Sequence, residues 1–130
     1  MSASQEAQPT LDSIAPRFVV GDMEQALAFY GQLSFATTYQ DEGFAIVERD
    51  GIDVHLNASS EPLKGRSVCW IGVTNIEALY QQYLPTNAVQ SPLEAKPWGM
   101  KEFFLCDPFR NLILFAEGIS EEEARAAQDG

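Results

Sequence analysis

The chain holds one histidine, His55, two cysteines, Cys69 and Cys106, and two tryptophans, Trp70 and Trp98. His55 lies in the alternating run Ile52–Leu56. An imidazole there could act as general acid or base on a small oxygenated substrate, with Asp53 or Arg17 as its partner. No Ser or Cys nucleophile is spaced beside it, and the chain contains no Gly-rich phosphate loop, Ser-His-Asp order or zinc-ligand spacing. The residues therefore assign no catalytic group, and His55 reads first as a pocket or structural hydrogen-bonder. Cys69 and Cys106 sit in apolar, strand-like runs and read as buried free thiols.

Aromatic rings are the remaining chemistry. Phe35, Tyr39, Phe44, Trp70, Trp98, Phe103 and Phe104 lie in or beside strand-like runs. Core packing accounts for several of them, and one of the adjacent pair Phe103 and Phe104 must point inward. Trp98 differs because it stands in a Pro-Trp-Gly turn, where a large ring is costly to leave exposed unless something covers it. Asp41 and Glu42, in the loop before Phe44, could meet a positive charge on a ligand or stand as solvated turn acids.

These residues need elements to position them. Ile14–Val20 reads as a strand, with Phe18 and Val20 on one face and Ala15, Arg17 and Val19 on the other. Asp22 is an N-cap with Gln25 in capping-box position, and Met23, Ala26, Leu27 and Tyr30 form the apolar stripe of a short helix. Phe35–Tyr39, Phe44–Glu48 and Ile52–Leu56 follow as strands, the last two joined by Arg49-Asp50-Gly51, a hairpin signal. After a Ser/Pro/Gly linker over residues 58–66 the plan repeats. Val68–Val73 is a strand, Asn75 a second N-cap, and Ile76, Leu79, Tyr80 and Tyr83 the second helical stripe. Aligning Asp22 with Asn75 also pairs Val20 with Val73, Glu24 with Glu77 and Tyr30 with Tyr83. A weaker strand near Val89–Ala95, at an edge because of Pro92, precedes the hairpin of Lys101–Cys106 and Leu112–Ala116. In its turn, Asp107 can bond its own backbone and Asn111 tolerates positive φ. Gly118 ends the hairpin, and Ser120–Ala127 reads as a short helix.

The pattern predicts an α+β domain: two βαβββ repeats, about 13–57 and 67–117, that wrap a mixed sheet into a cup with the helices outside. Residues 1–10 read as a disordered leader, 11–118 as the domain and 119–130 as a tail. Strand parity puts Arg17, Asp53, His55, Trp70, Leu112 and Leu114 in the cup, opposite Phe18, Val54, Ile71 and Phe115.

The net charge of −11 argues against nucleic acid and permits a cationic ligand, although Glu121-Glu122-Glu123 supplies part of the excess. No run is long and apolar enough to span a membrane, and Met1–Thr10 lacks the order of a signal peptide, so the expected location is the cytoplasm.

The stretch PWGMKEFFLCDPFRNLILFAE resembles the last two strands of the glyoxalase/bleomycin-resistance/extradiol-dioxygenase superfamily, the vicinal oxygen chelate fold. PRFVVGDMEQALAFYGQLSF, YQDEGFAIVERDGIDVHLN and GVTNIEALYQQY are similar to the first strand and helix, the next three strands and the second helix of its bleomycin-resistance branch. The resemblance covers residues 13–118. In the superfamily's metal enzymes four strand positions hold the ion, and by that resemblance they fall here on Ala15, His55, Val68 and Leu114. Three of these side chains have no lone pair to offer, and one imidazole cannot hold a catalytic ion. The resemblance therefore implies a binding protein without metal or other cofactor. It would be a homodimer that sequesters a bulky cationic aromatic molecule of the bleomycin type in a groove between subunits. The alternative is a metal-independent enzyme of the same fold using His55. The residues expected at the ligand are Trp98, Phe44, Tyr39, Asp41, Glu42, His55, Trp70 and Arg17.

Overall fold

The computed structural model describes residues 8–61 and 67–129. The element order is β1 (Arg17–Val20), α1 (Met23–Gln32), β2 (Ala36–Gln40), β3 (Phe44–Arg49), β4 (Ile52–Ala58), β5 (Val68–Gly72), α2 (Ile76–Tyr83), β6 (Glu94–Lys96), β7 (Met100–Cys106), β8 (Leu112–Gly118) and α3 (Glu121–Asp129). Most of the leader and residues 62–66 of the linker lie outside the described residues.

The two repeats build two four-stranded mixed sheets, ordered β1-β4-β3-β2 and β5-β8-β7-β6. The expected cup thus resolves, within one chain, into two sheets of identical topology. In each, the first strand runs parallel to the fourth and the other pairs are antiparallel. A helix covers one face of each sheet, and the covered faces share a core. Alternation decides which side chains enter it. Phe18, Val47, Val54 and Leu56 from the first sheet are buried, as are Phe103, Leu105, Ile113 and Phe115 from the second. A buried Leu or Phe contributes about 1.5–3 kcal/mol, against at most about 1 kcal/mol for an exposed pair. Arg125–Glu121, at 3.5 Å, lies within α3, so the repeats are joined by apolar burial in the shared core together with the hydrogen bonds that cross between them.

Several boundaries differ from expectation for identifiable reasons. β1 begins at Arg17 rather than Ile14, because Pro16 has no N–H to continue the ladder. Leu11 and Ile14 are left almost fully exposed. The strand expected near Val89–Ala95 is split into a single bridge, Val89 to Leu105, and the short edge strand β6. Between them Pro92 cannot donate, and Ser91 Oγ accepts the Phe104 N–H at 2.9 Å.

Asp22 caps α1 as expected, accepting the Gln25 N–H at 3.0 Å. Asn75 does not cap α2 with its side chain and sits in the left-handed region, φ 64°. The carboxylate of Glu117 on β8 takes that role, accepting the N–H groups of Asn75 at 3.0 Å and Ile76 at 2.9 Å. In the β7–β8 turn Arg110, not Asn111, adopts positive φ.

Candidate functional site

Each sheet keeps one face free of its helix. On the first sheet, register sets Arg17 beside His55 and His55 beside Ile46. The Arg17 guanidinium lies 5.4 Å from the centroid of the Phe44 ring and donates to Asn57 Oδ1 at 2.9 Å. Phe44 stands edge-on to His55 at 5.3 Å and meets Tyr39 at 6.0 Å. Arg17, Tyr39, Phe44 and His55 thus form one continuous surface across four strands. Asn57 belongs with them. Its position two residues after His55 was the available signal, since strand neighbours at that spacing share a face.

Asp41 is committed to its own loop. Its Oδ1 accepts the N–H groups of Gly43 and Phe44 at 2.9 Å each, and its Oδ2 accepts the Tyr39 hydroxyl at 2.7 Å. The Tyr39 bond foremost, with the loop N–H groups, holds the Asp41 carboxyl below its ordinary value, while the same bond raises the phenol. Glu42, next to it, is exposed. Among the described residues no carboxylate hydrogen-bonds His55, so the pairing with Asp53 that an acid–base role would use is not formed. No three His, Cys, Asp or Glu side chains among them are grouped as metal ligands.

Trp70 and Trp98 belong to the second sheet, so the eight expected residues fall into two groups rather than one. Trp70 is 58% and Trp98 66% exposed, and Val68, two residues before Trp70 on β5, is 59% exposed. The Trp70 ring reaches Gly72, where an added methyl would stand 3.0 Å from Cη2, so a larger residue there would require the exposed ring to shift slightly. Leu112, Leu114 and Phe104 continue the face, half-buried. Trp98 Nε1 donates to Glu102 Oε2 at 3.4 Å, and Lys96 Nζ lies 5.9 Å from the indole centroid. The Cys69 thiol points toward the core, and burial pushes it up to about 11, which keeps it protonated and inert.

Paired βαβββ repeats that carry their aromatic and polar side chains on uncovered sheet faces define a class of small-molecule folds. The family model of the Glyoxalase/Bleomycin resistance protein/Dioxygenase superfamily matches residues 10–115, and the chain belongs to that superfamily. It is 29% identical over 125 residues to the bleomycin resistance proteins of Geobacillus stearothermophilus and Staphylococcus aureus, covering 80% of this chain and 95% of theirs. Its fold is that of a bleomycin-binding protein solved with bleomycin (TM-score 0.73, 22% identity, 83% of this chain and 99% of that one). It is likewise that of the Streptomyces verticillus bleomycin-binding protein solved with copper(II)-bleomycin (TM-score 0.72, 22% identity, 85% and 99%). TioX from Micromonospora sp. ML1 shares the fold at 16% identity, with a TM-score of 0.73 over 83% of this chain and 99% of its own. No helix among the described residues is long and apolar enough to cross a membrane.

Proposed function

We propose that this protein binds and sequesters a bulky, cationic, ring-bearing small molecule of the bleomycin type. In this reading two copies pair so that the open face of one sheet meets that of the other repeat in the partner. The observation that carries it is the exposure of Trp70 and Trp98, each more than half in solvent, on a face whose other side is a completed core. Large rings left out in this way are suited to stacking on a planar ligand. The Tyr39, Phe44 and His55 surface of the other repeat would supply the opposite wall, with Glu42 and Asp41 at its rim. The net charge of −11 favours a cation. The named relatives support the ligand class.

Sequestration requires a preformed groove and no catalytic group. The enzyme reading would need a partner that polarises His55, and the aromatic edge and guanidinium beside it are not such a partner. No metal takes part in the proposed binding, because Ala15, Val68 and Leu114 carry no donor atoms.

Titration of tryptophan fluorescence with metal-free bleomycin and with copper(II)-bleomycin, beside a panel of small metabolites, tests the proposal. Saturable quenching by bleomycin at micromolar concentration is expected. Quenching by a metabolite alone would move the protein to another ligand class.

A further inference from the structure

The repeat symmetry fails at one place, and the failure leaves a cavity. The alignment that starts α1 at Met23 and α2 at Ile76 sets Gly21 against Thr74, Asp22 against Asn75 and Tyr30 against Tyr83. Both tyrosine hydroxyls cross the seam to a charged residue where the third strand of the other repeat ends. Tyr30 donates to Asp107 just after β7, and Tyr83 accepts from Arg49, the last residue of β3. Past that point the two hairpins differ. β7 and β8 are joined through Asp107–Asn111, and Phe109 in that loop folds back onto the core. A methyl on Gly21 would lie 3.6 Å from Phe109 Cε1, so the ring closes the gap between its turn and the start of α1. β3 and β4 turn on Asp50 and Gly51 alone, both at positive φ, and this shorter turn offers no ring.

The equivalent place, between the Asp50–Gly51 turn and the start of α2, is a cavity of about 540 Å³. Phe35, Ile71, Leu79 and Phe115 are apolar groups of its lining, and Arg49, Asp50, Gln82 and Tyr83 are among the polar ones. Ligand sites commonly span about 300–1,000 Å³, and about 150 Å³ of apolar space already admits benzene, so a fused bicyclic ring fits here. Arg49 Nη1 donates to Leu33 O at 2.9 Å and to the Tyr83 hydroxyl at 2.8 Å, and Nη2 donates to Gln82 Oε1 at 3.1 Å. Its Nε lies 3.3 Å from the Asp50 carboxylate, whose side chain is 84% exposed. One Nη2 hydrogen is left over from the five donors of the guanidinium.

We propose that this cavity is a second binding site, for a small aromatic carboxylate. The ligand's ring takes the place that Phe109 fills in the other repeat, and its carboxylate meets Arg49. The site lies on the core side of the second sheet, behind the Trp70 face, and does not depend on what that face binds.

The test is a ¹H–¹⁵N NMR titration of the full chain with 2-naphthoate. Saturable shifts are expected at the amides of Asp50–Ile52 and Thr74–Gln82. Ala78→Phe, exposed on α2 and lining the cavity, should weaken binding at least tenfold while the spectrum stays dispersed. The uncharged 2-naphthalenemethanol should bind several-fold more weakly, and Trp98→Ala should bind 2-naphthoate as the parent does. Shifts confined to residues around Trp70 and Phe44, no saturation at millimolar ligand, or unchanged affinity in Ala78→Phe would each overturn the proposal.

Discussion

The hydroxyl of Tyr30 donates to the carboxylate of Asp107 at 2.9 Å, across 77 residues of sequence and across the seam between the repeats. Asp107 Oδ1 also accepts the N–H groups of Phe109 and Asn111, and Oδ2 accepts from the Asn111 amide at 2.8 Å. Asn111 in turn donates to Val19 O at 3.0 Å. One buried carboxylate therefore closes the β7–β8 turn and fixes it to α1 and β1. Burial first, then the Asp107 charge and the hydrogen bond to it, raise the Tyr30 phenol well above its ordinary value.

Tyr30→Phe should lower stability by about 1.5–3 kcal/mol, the range for a hydrogen bond to a charged group. Asp107→Ala should cost more, because it strands the phenol, the Asn111 amide and two backbone donors together. The effect carries a pH signature. A phenol raised in the folded state contributes stability that is complete below its ordinary value of 10.0 and is lost as pH climbs through the folded-state value. Urea midpoints measured from about pH 8 to 11 should fall at the alkaline end, and Tyr30→Phe should flatten that fall. An equally steep fall in the variant would remove Tyr30 as its source.

Glu117→Gln tests the cap that Asn75 does not supply. The Ile76 N–H first, and then the Asn75 N–H, hold the Glu117 carboxyl below its ordinary 4.5. A lowered carboxyl contributes stability above its unfolded value and loses it as pH falls through the folded one. Glu117→Gln should therefore melt lower than the parent at neutral pH, and the two should converge in acid near pH ~3. A gap of constant size across that range would assign the effect to packing rather than charge.

Much of the scaffold was legible because it is local. Period-two alternation picked the buried set of Phe18, Val54 and Phe115 and the open set of Arg17, His55 and Trp70, and the two helical stripes fell where α1 and α2 lie. The misses are non-local. Asn75 has the composition of a cap, but its helix is capped by a strand residue 42 positions on. Which sheet carries Phe44 and which carries the strands beside Trp98 is likewise fixed by strand pairing rather than by any one strand. Asp41 is an exception, since an Asp two and three residues before donors in a Glu-Gly-Phe turn is itself the signature of a side chain bonded to its own loop.

Trp98→Ala separates a ring that serves a ligand from one that serves the fold. The indole is 66% exposed, and its 3.4 Å contact with Glu102 is long. Its loss should leave the melting temperature nearly unchanged. Stacking on an aromatic ring is worth about 0.5–1.5 kcal/mol beyond burial, so affinity for bleomycin should drop several-fold to about tenfold. Raising salt should weaken binding further if the acidic rim attracts the cation. A large drop in stability with unchanged affinity would return Trp98 to the fold and remove it from the groove.

The quaternary structure decides whether the two open faces can act as one groove. Within a chain the Arg17–Phe44–His55 surface and the Trp70–Trp98 surface lie on separate sheets. A ligand that needs both must therefore bridge two copies or reach around one. Val68 and Trp70 together leave an apolar area that solvent covers poorly, and a two-fold partner would bury it on both chains at once. Sedimentation equilibrium at micromolar concentration should give twice the 14.4 kDa of one chain. Val68→Glu, which places a charge in that area without touching the proposed ligand residues, should shift the mass toward a single chain while the far-ultraviolet spectrum stays unchanged. Binding of bleomycin should weaken in parallel with dimer loss. A wild-type mass of one chain that still binds bleomycin would confine the ligand to one sheet, and the groove between copies would be abandoned.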